Sequence, residues 1–229
     1  MFTLSETMRR KEAVGALCYL AFELLLLPRL LLTVNAFLSV PVSAAVLNYI
    51  AYGINFLCTA VICRGFLCRS GKKAIAQPVR TVCTAVAGFA VYRLLFLAVS
   101  QLILYVYPAY FNVNDSMVNS FAREYFPVML ICTVFLVPIT EETLFRGLIF
   151  GTLHKKSRIA AYALSAAAFS IPHILGMIGV YPAEHILLGF IQYLPAGICL
   201  GLAYAVSGTI WAPILIHSFV NLYGILTLR

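Results

Sequence analysis

Residues 126–151 read FPVMLICTVFLVPITEETLFRGLIFG, an apolar run interrupted by two adjacent carboxylates, Glu141 and Glu142, and by Arg146. At the 1.5 Å rise of a helix, such a run crosses a hydrocarbon layer of about 30 Å. A carboxylate inside that layer costs roughly 2.5–3.5 kcal/mol even on lenient insertion scales, so a pair there needs a partner or a task. Spacing supplies a partner for one of them. Glu142 and Arg146 are four residues apart, share a helix face and are placed to pair. Glu141 projects about 100° further round the helix and is left free for other work.

The rest of the chain agrees with a membrane reading. Its 229 residues are 62% hydrophobic and 10% charged, with a mean hydropathy of +0.96. Soluble domains are about 45–50% apolar and about 25% charged. The expected fold is all-α, a polytopic transmembrane helical bundle of about seven spans at 13–34, 40–63, 81–107, 126–151, 159–178, 186–206 and 209–228. Residues 1–125 form a three-span region without recognisable motifs, and residues 126–229 carry the motifs, all within one integral membrane domain.

The net charge of +8 does not indicate nucleic acid, because the basic residues lie between apolar spans. They mark topology and an anionic lipid surface instead. With the N-terminus inside, eleven Lys and Arg fall on inner segments: Arg9–Lys11, five within 64–80, and Lys155, Lys156 and Arg158. Only Arg123 and Arg229 fall outside, which predicts an N-in, C-out chain.

Several features carry no chemistry in this reading. The seven cysteines are scattered and form no CxxC pattern, so neither a disulfide framework nor a metal knuckle follows. Cys63 and Cys68 flank a basic turn and suit small apolar packing better than acylation. Arg9, Arg10 and Lys11 precede an apolar run as in a signal peptide, but the run is long and broken by Glu23, Pro28 and Arg29, so an uncleaved first span is expected. Glu23 and Arg93 are expected to pair between spans as structural glue. Glu184 and His185 are read as solvated in an outer turn, His154 as a surface residue, and the outer stretch 108–125 as an interface-lying segment.

The polar residues of the last four spans form a constellation. Phe169 and His173 are four apart, as are His217 and Asn221, so each pair shares a helix face. A kink is expected at Pro195-Ala-Gly197. Depth follows from hairpin symmetry. The midpoint between Glu141 and His173 is residue 157, inside the basic turn Lys155-Lys156-Ser157-Arg158, which sets the two level. His217 is nine residues beyond the Ser207-Gly208 turn, roughly 14 Å along a helix from the same side.

A water held between Glu141 and His173 has the general base that hydrolysis needs. His217 and Asn221 offer donors for the oxyanion of a tetrahedral intermediate. A lone buried histidine more often joins helices than catalyses, but two His, two Glu, an Arg and an Asn in matching layers argue for a site. Glu141, His173 and His217 are also acceptable ligands for one Zn2+. No HExxH is present, and the residues leave open a metal-bound water or one held by Glu and His alone.

These motifs resemble the CAAX protease and bacteriocin-processing (CPBP, or Abi) family of intramembrane endopeptidases. Its pattern of EExxxR, FxxxH and HxxxN on successive late helices reads here as Glu141-Glu142-Thr-Leu-Phe-Arg146, Phe169-Ser-Ile-Pro-His173 and His217-Ser-Phe-Val-Asn221. The resemblance covers about 126–228. It implies a helical bundle with a polar cavity within the membrane, where Glu141 and His173 activate water and His217 with Asn221 stabilises the oxyanion. Glu142, Arg146 and Phe169 support them. Family members process prenylated CAAX proteins or, in bacteria, serve peptide processing and bacteriocin self-immunity. A small chain without added domains suggests a bacterial plasma-membrane protein acting on a hydrophobic peptide or membrane-anchored protein. A non-enzymatic binding, immunity or scaffold protein is the second function class. A proton-coupled transporter is the third, weakened by the lack of a repeat between halves.

Overall fold

A computed structural model describes residues 6–227. The molecule is 85% helix without strands among those residues. We number the helices α1 (Arg10–Leu25), α2 (Leu27–Ala36), α3 (Ala44–Ile62), α4 (Arg64–Ala76), α5 (Pro78–Val106) and α6 (Val113–Glu124). There follow α7 (Phe126–His154), α8 (Arg158–Leu175), α9 (Ala183–Ser207) and α10 (Trp211–Thr227).

Local chemistry sets several boundaries. The Val46 and Ala160 N–H groups donate to the hydroxyls of Ser43 and Ser157, both at 3.3 Å, capping α3 and α8. The Asn112 side chain caps α6 by accepting from the Asp115 N–H at 2.9 Å. Helix α9 ends at Gly208, whose φ of 69° lies in the left-handed region that glycine enters without penalty.

Helices α3, α5, α7, α8 and α9 are long and apolar enough to cross a membrane. The expected first span is not one helix. Helices α1 and α2 meet at a 45° bend, because Pro28 has no N–H to continue the ladder into the next helix. Counted as one broken span, the pair makes six. The expected last span is the shorter apolar helix α10, 17 residues long. The basic turn after the second span is instead helix α4. Its buried Phe66 and Ser70 face inward, and Ser70 exchanges hydrogen bonds with Thr209 and accepts from the Ile210 N–H at the α9–α10 turn.

The segments expected on the inner side gather at one end of the bundle. Arg69 binds Glu12 through both guanidinium ends, at 3.0 and 2.8 Å. Gln77 donates to the Ser207 carbonyl at 2.8 Å, and the Tyr204 hydroxyl to the Glu6 carbonyl at 2.6 Å. The opposite end collects the other turns, with Ser43 bonded to Glu124 and Tyr49 to the Phe121 carbonyl. Arg229, counted above among the outer charges, lies outside the described residues.

Candidate active site

Helix α7 is irregular around the two carboxylates. Cys132–Leu136 and Thr143–Phe150 are π-helical, with the α-helical turn Val137–Glu142 between them. In the wider register the Val137 N–H bonds to the Cys132 carbonyl. The next such bond would run to the Thr133 carbonyl from residue 138, a proline with no N–H to give. That orphaned carbonyl accepts instead from Asn221 Nδ2 at 2.8 Å. Pro138 thus creates the acceptor that orients a candidate catalytic side chain on another helix.

The hairpin of α7 and α8 is level about residue 157, as its symmetry predicts. Phe145 and Phe169 are equidistant from that residue, and their rings meet edge to face with centroids 5.7 Å apart. The Ser165 hydroxyl reaches the Phe145 carbonyl at 3.1 Å. Glu141 and His173 line one cavity of about 370 Å³ together with Phe169, His217 and Asn221.

Within the site, Glu142 and Arg146 form the expected pair, Nη1 to Oε1 at 3.1 Å, with both side chains fully buried. The guanidinium also lies 4.1 Å over the Phe169 ring and reaches the Gly197 carbonyl at 3.4 Å. Spacing along one helix could not reveal the next contact. His217 Nδ1 donates to Glu142 Oε1 at 2.8 Å, while its Nε2 is 4.0 Å from Glu141 Oε2. The expected supporting carboxylate therefore also orients a candidate catalytic imidazole. With Nδ1–H committed to Glu142, donation to an oxyanion from Nε2 requires the doubly protonated ring.

His173 Nδ1 meets the Phe169 carbonyl at 2.9 Å. A carbonyl only accepts, so Nδ1 carries the hydrogen and Nε2 presents a lone pair. The ring stacks on Tyr193 with centroids 4.1 Å apart, which restricts its rotation. Glu141 and His173 are thus two acceptors on one cavity wall. A water donating to both would turn its oxygen lone pairs outward.

The zinc alternative fits less well. No group of three or more His, Cys, Asp or Glu side chains among the described residues is arranged to hold a metal ion. Glu141, His173 and His217 share the cavity without forming such a cluster, although each imidazole, with Nδ1 held by a protein partner, keeps Nε2 open as a ligand would.

Other expectations change. Glu23 and Arg93 do not pair: Arg93 lies 4.1 Å over the Tyr223 ring and lines the large cavity. Glu23 lines a second cavity beside Glu141. His185 is not solvated but 4% exposed. It lies within α9 rather than in a turn, where rings of Tyr107, Tyr110, Phe111 and Tyr181 surround it and the Phe111 carbonyl bonds its Nε2 at 2.9 Å. His154 is half-buried and stacks on Phe150. The outer stretch contributes to the site wall, since Asn114, Asp115 and Val118 of α6 line the large cavity. Asn112 locks α6 to α9 by donating to Gln192 at 2.8 Å and Tyr193 at 3.1 Å.

The fold and this buried cavity define an integral membrane protein with a polar site formed by its late helices. Residues 123–223, which hold all seven candidate site residues, match the family described as type II CAAX prenyl endopeptidase Rce1-like. Over 101 residues the chain is 32% identical to YdiL of Bacillus subtilis (strain 168), a protein provisionally named a membrane peptidase. The matched stretch is 44% of this chain and 37% of that protein's length. No solved structure matches. The segment that carries the site is thus similar to the CPBP family whose motifs it bears.

Proposed function

We propose that the chain is an intramembrane endopeptidase that hydrolyses a peptide bond in a hydrophobic peptide or membrane-anchored protein. The observation that carries this reading is one cavity of about 370 Å³ with Glu141 and His173 beside His217 and Asn221. A water donates its hydrogens to the Glu141 carboxylate and to His173 Nε2, and its oxygen attacks the carbonyl carbon. Glu141 takes the proton as the C–O bond forms. Asn221 has one amide hydrogen on Thr133 and a second available for the oxyanion. Doubly protonated His217 donates from Nε2 to the same oxygen. Collapse breaks the C–N bond, and the proton held by Glu141 passes to the leaving amine. The similarity to a Bacillus protein named as a membrane peptidase supports peptidase action in a bacterial membrane, and the motif resemblance adds peptide processing or bacteriocin self-immunity as the proposed roles.

The test compares wild type with Glu141→Ala and His173→Ala on a library of fluorogenic hydrophobic peptides in lipid nanodiscs. Each variant is expected to lose at least about 100-fold in kcat, the scale of a positioned general base, with unchanged unfolding midpoints. Parallel runs with a zinc chelator should leave wild-type cleavage intact. Inhibition restored by added zinc would make the attacking water metal-bound. Cleavage that survives Glu141→Ala would return the cavity to a binding or scaffold role.

A further inference from the structure

Glu141 forms part of the wall between two cavities. On one side is the large cavity that holds His173, His217 and Asn221. On the other is a cavity of about 30 Å³ lined by Glu23, Tyr52, Asn55, Val137, Thr140 and Glu141. Glu23 lines only the smaller one, so it faces the base without facing the space for substrate. Its Oε2 is buried without a hydrogen-bond partner, as is Oε2 of Glu141, which has only His217 Nε2 at 4.0 Å. An unpartnered carboxylate in a membrane helix is costly, and the one cation expected to neutralise it, Arg93, is engaged on Tyr223.

The smaller cavity has polar side chains on its wall and room for a water, which requires about 10–15 Å³ and two to four polar partners. Asn55 accepts from the Tyr19 hydroxyl at 2.7 Å, which aligns the amide on the cavity wall. Thr140 donates its hydroxyl hydrogen to the Leu136 carbonyl at 2.9 Å and keeps its lone pairs for another donor. From this arrangement we propose that Glu23 is a positioning residue for Glu141, acting through a water held between the two carboxyl groups. The bridge fixes the rotamer of the base from behind, so that its carboxylate meets the attacking water on the substrate side. Helix α1, outside the family-matched segment, thereby completes the site. This inference rests on the peptidase reading for its consequence, but not for its geometry.

Glu23→Leu and Glu23→Gln, made in the full chain and held in nanodiscs, test it. Glu23→Leu is expected to lower kcat by about 10- to 100-fold, the scale of a misplaced catalytic group, with KM unchanged. Its unfolding midpoint should stay level or rise, because an apolar residue replaces a buried, unpaired acid. Glu23→Gln retains a donor and an acceptor for the water and should remain within a few-fold of wild type. Unchanged kcat in Glu23→Leu overturns the proposal. A fall in kcat together with the unfolding midpoint also overturns it, since that marks a structural role. Infrared spectra without substrate decide the geometry separately. Glu23→Leu should shift a carboxyl stretching band in wild type and not in a Glu141→Gln background. A shift without any wild-type cleavage would keep the water bridge and sink the peptidase reading, whereas cleavage without the shift would do the reverse.

Discussion

Arg146 has no exposed surface, and its guanidinium holds three elements at once: Glu142 of its own helix, the Gly197 carbonyl of α9 and the Phe169 ring of α8. Glu142 in turn holds His217 of α10. Removing one partner of a buried ion pair leaves the other charge uncompensated, at about 3–5 kcal/mol. Arg146→Met should therefore lower stability by that amount, measured by reversible unfolding in mixed micelles. The double change Glu142→Leu with Arg146→Met should lose less, because it leaves neither charge behind, yet remain inactive because His217 has lost its acceptor. Equal losses in the single and double variants would mean that Arg146 acts through packing on Phe169 alone. The ion pair was legible in the sequence because i,i+4 spacing on a helix is local geometry. The His217 contact spans 75 residues and depends on how α7 and α10 are rotated against each other, which no local spacing encodes.

At the scale of elements, the close approach of α8 to α9 depends on Gly197. A Cβ there would overlap the Cα and Cβ of Ala166 on the facing helix. The kink expected at Pro195-Ala-Gly197 thus has a different main consequence: the missing side chain lets two backbones touch, and the Gly197 carbonyl reaches Arg146. Small residues serve membrane helix contacts in this way generally. Gly197→Ala should force the helices apart, cost about 1–3 kcal/mol as overpacking does, and reduce cleavage by displacing His173. The second change Ala166→Gly should not rescue it, because the overlap includes the Ala166 backbone. Full rescue, read in the same unfolding and cleavage assays, would mean that only the two β-carbons collide. The α7–α8 hairpin level was legible from turn symmetry. The π-helical register of α7 was not, since hydropathy is nearly insensitive to one extra residue in a turn, yet that register gives Asn221 its acceptor at Thr133.

For the whole molecule, one end gathers Glu6, Glu12, Arg69, Gln77 and the 204–210 turn, while the other gathers Ser43, Phe111, Glu124 and His185. With positive charge retained on the cytoplasmic face, a fluorescent protein fused before Met1 should be bright and a phosphatase fused after Arg229 active. Both reporters signalling cytoplasm would mean an even number of crossings, with the bent α1–α2 pair entering without traversing. Sequence alone determined that this is a helical membrane protein, where its apolar segments lie, and which late-helix residues are the candidates for its chemistry. Hydropathy, charge placement and i,i+4 spacing are properties of neighbouring residues, and the membrane turns them directly into spans and faces. Tertiary packing decided the partners of those residues: His217 on Glu142, Asn221 on Thr133, Arg93 over Tyr223 and Glu23 beside Glu141. Those contacts depend on the rotation, bend and depth of separate helices, which are set only when all of them pack around one cavity.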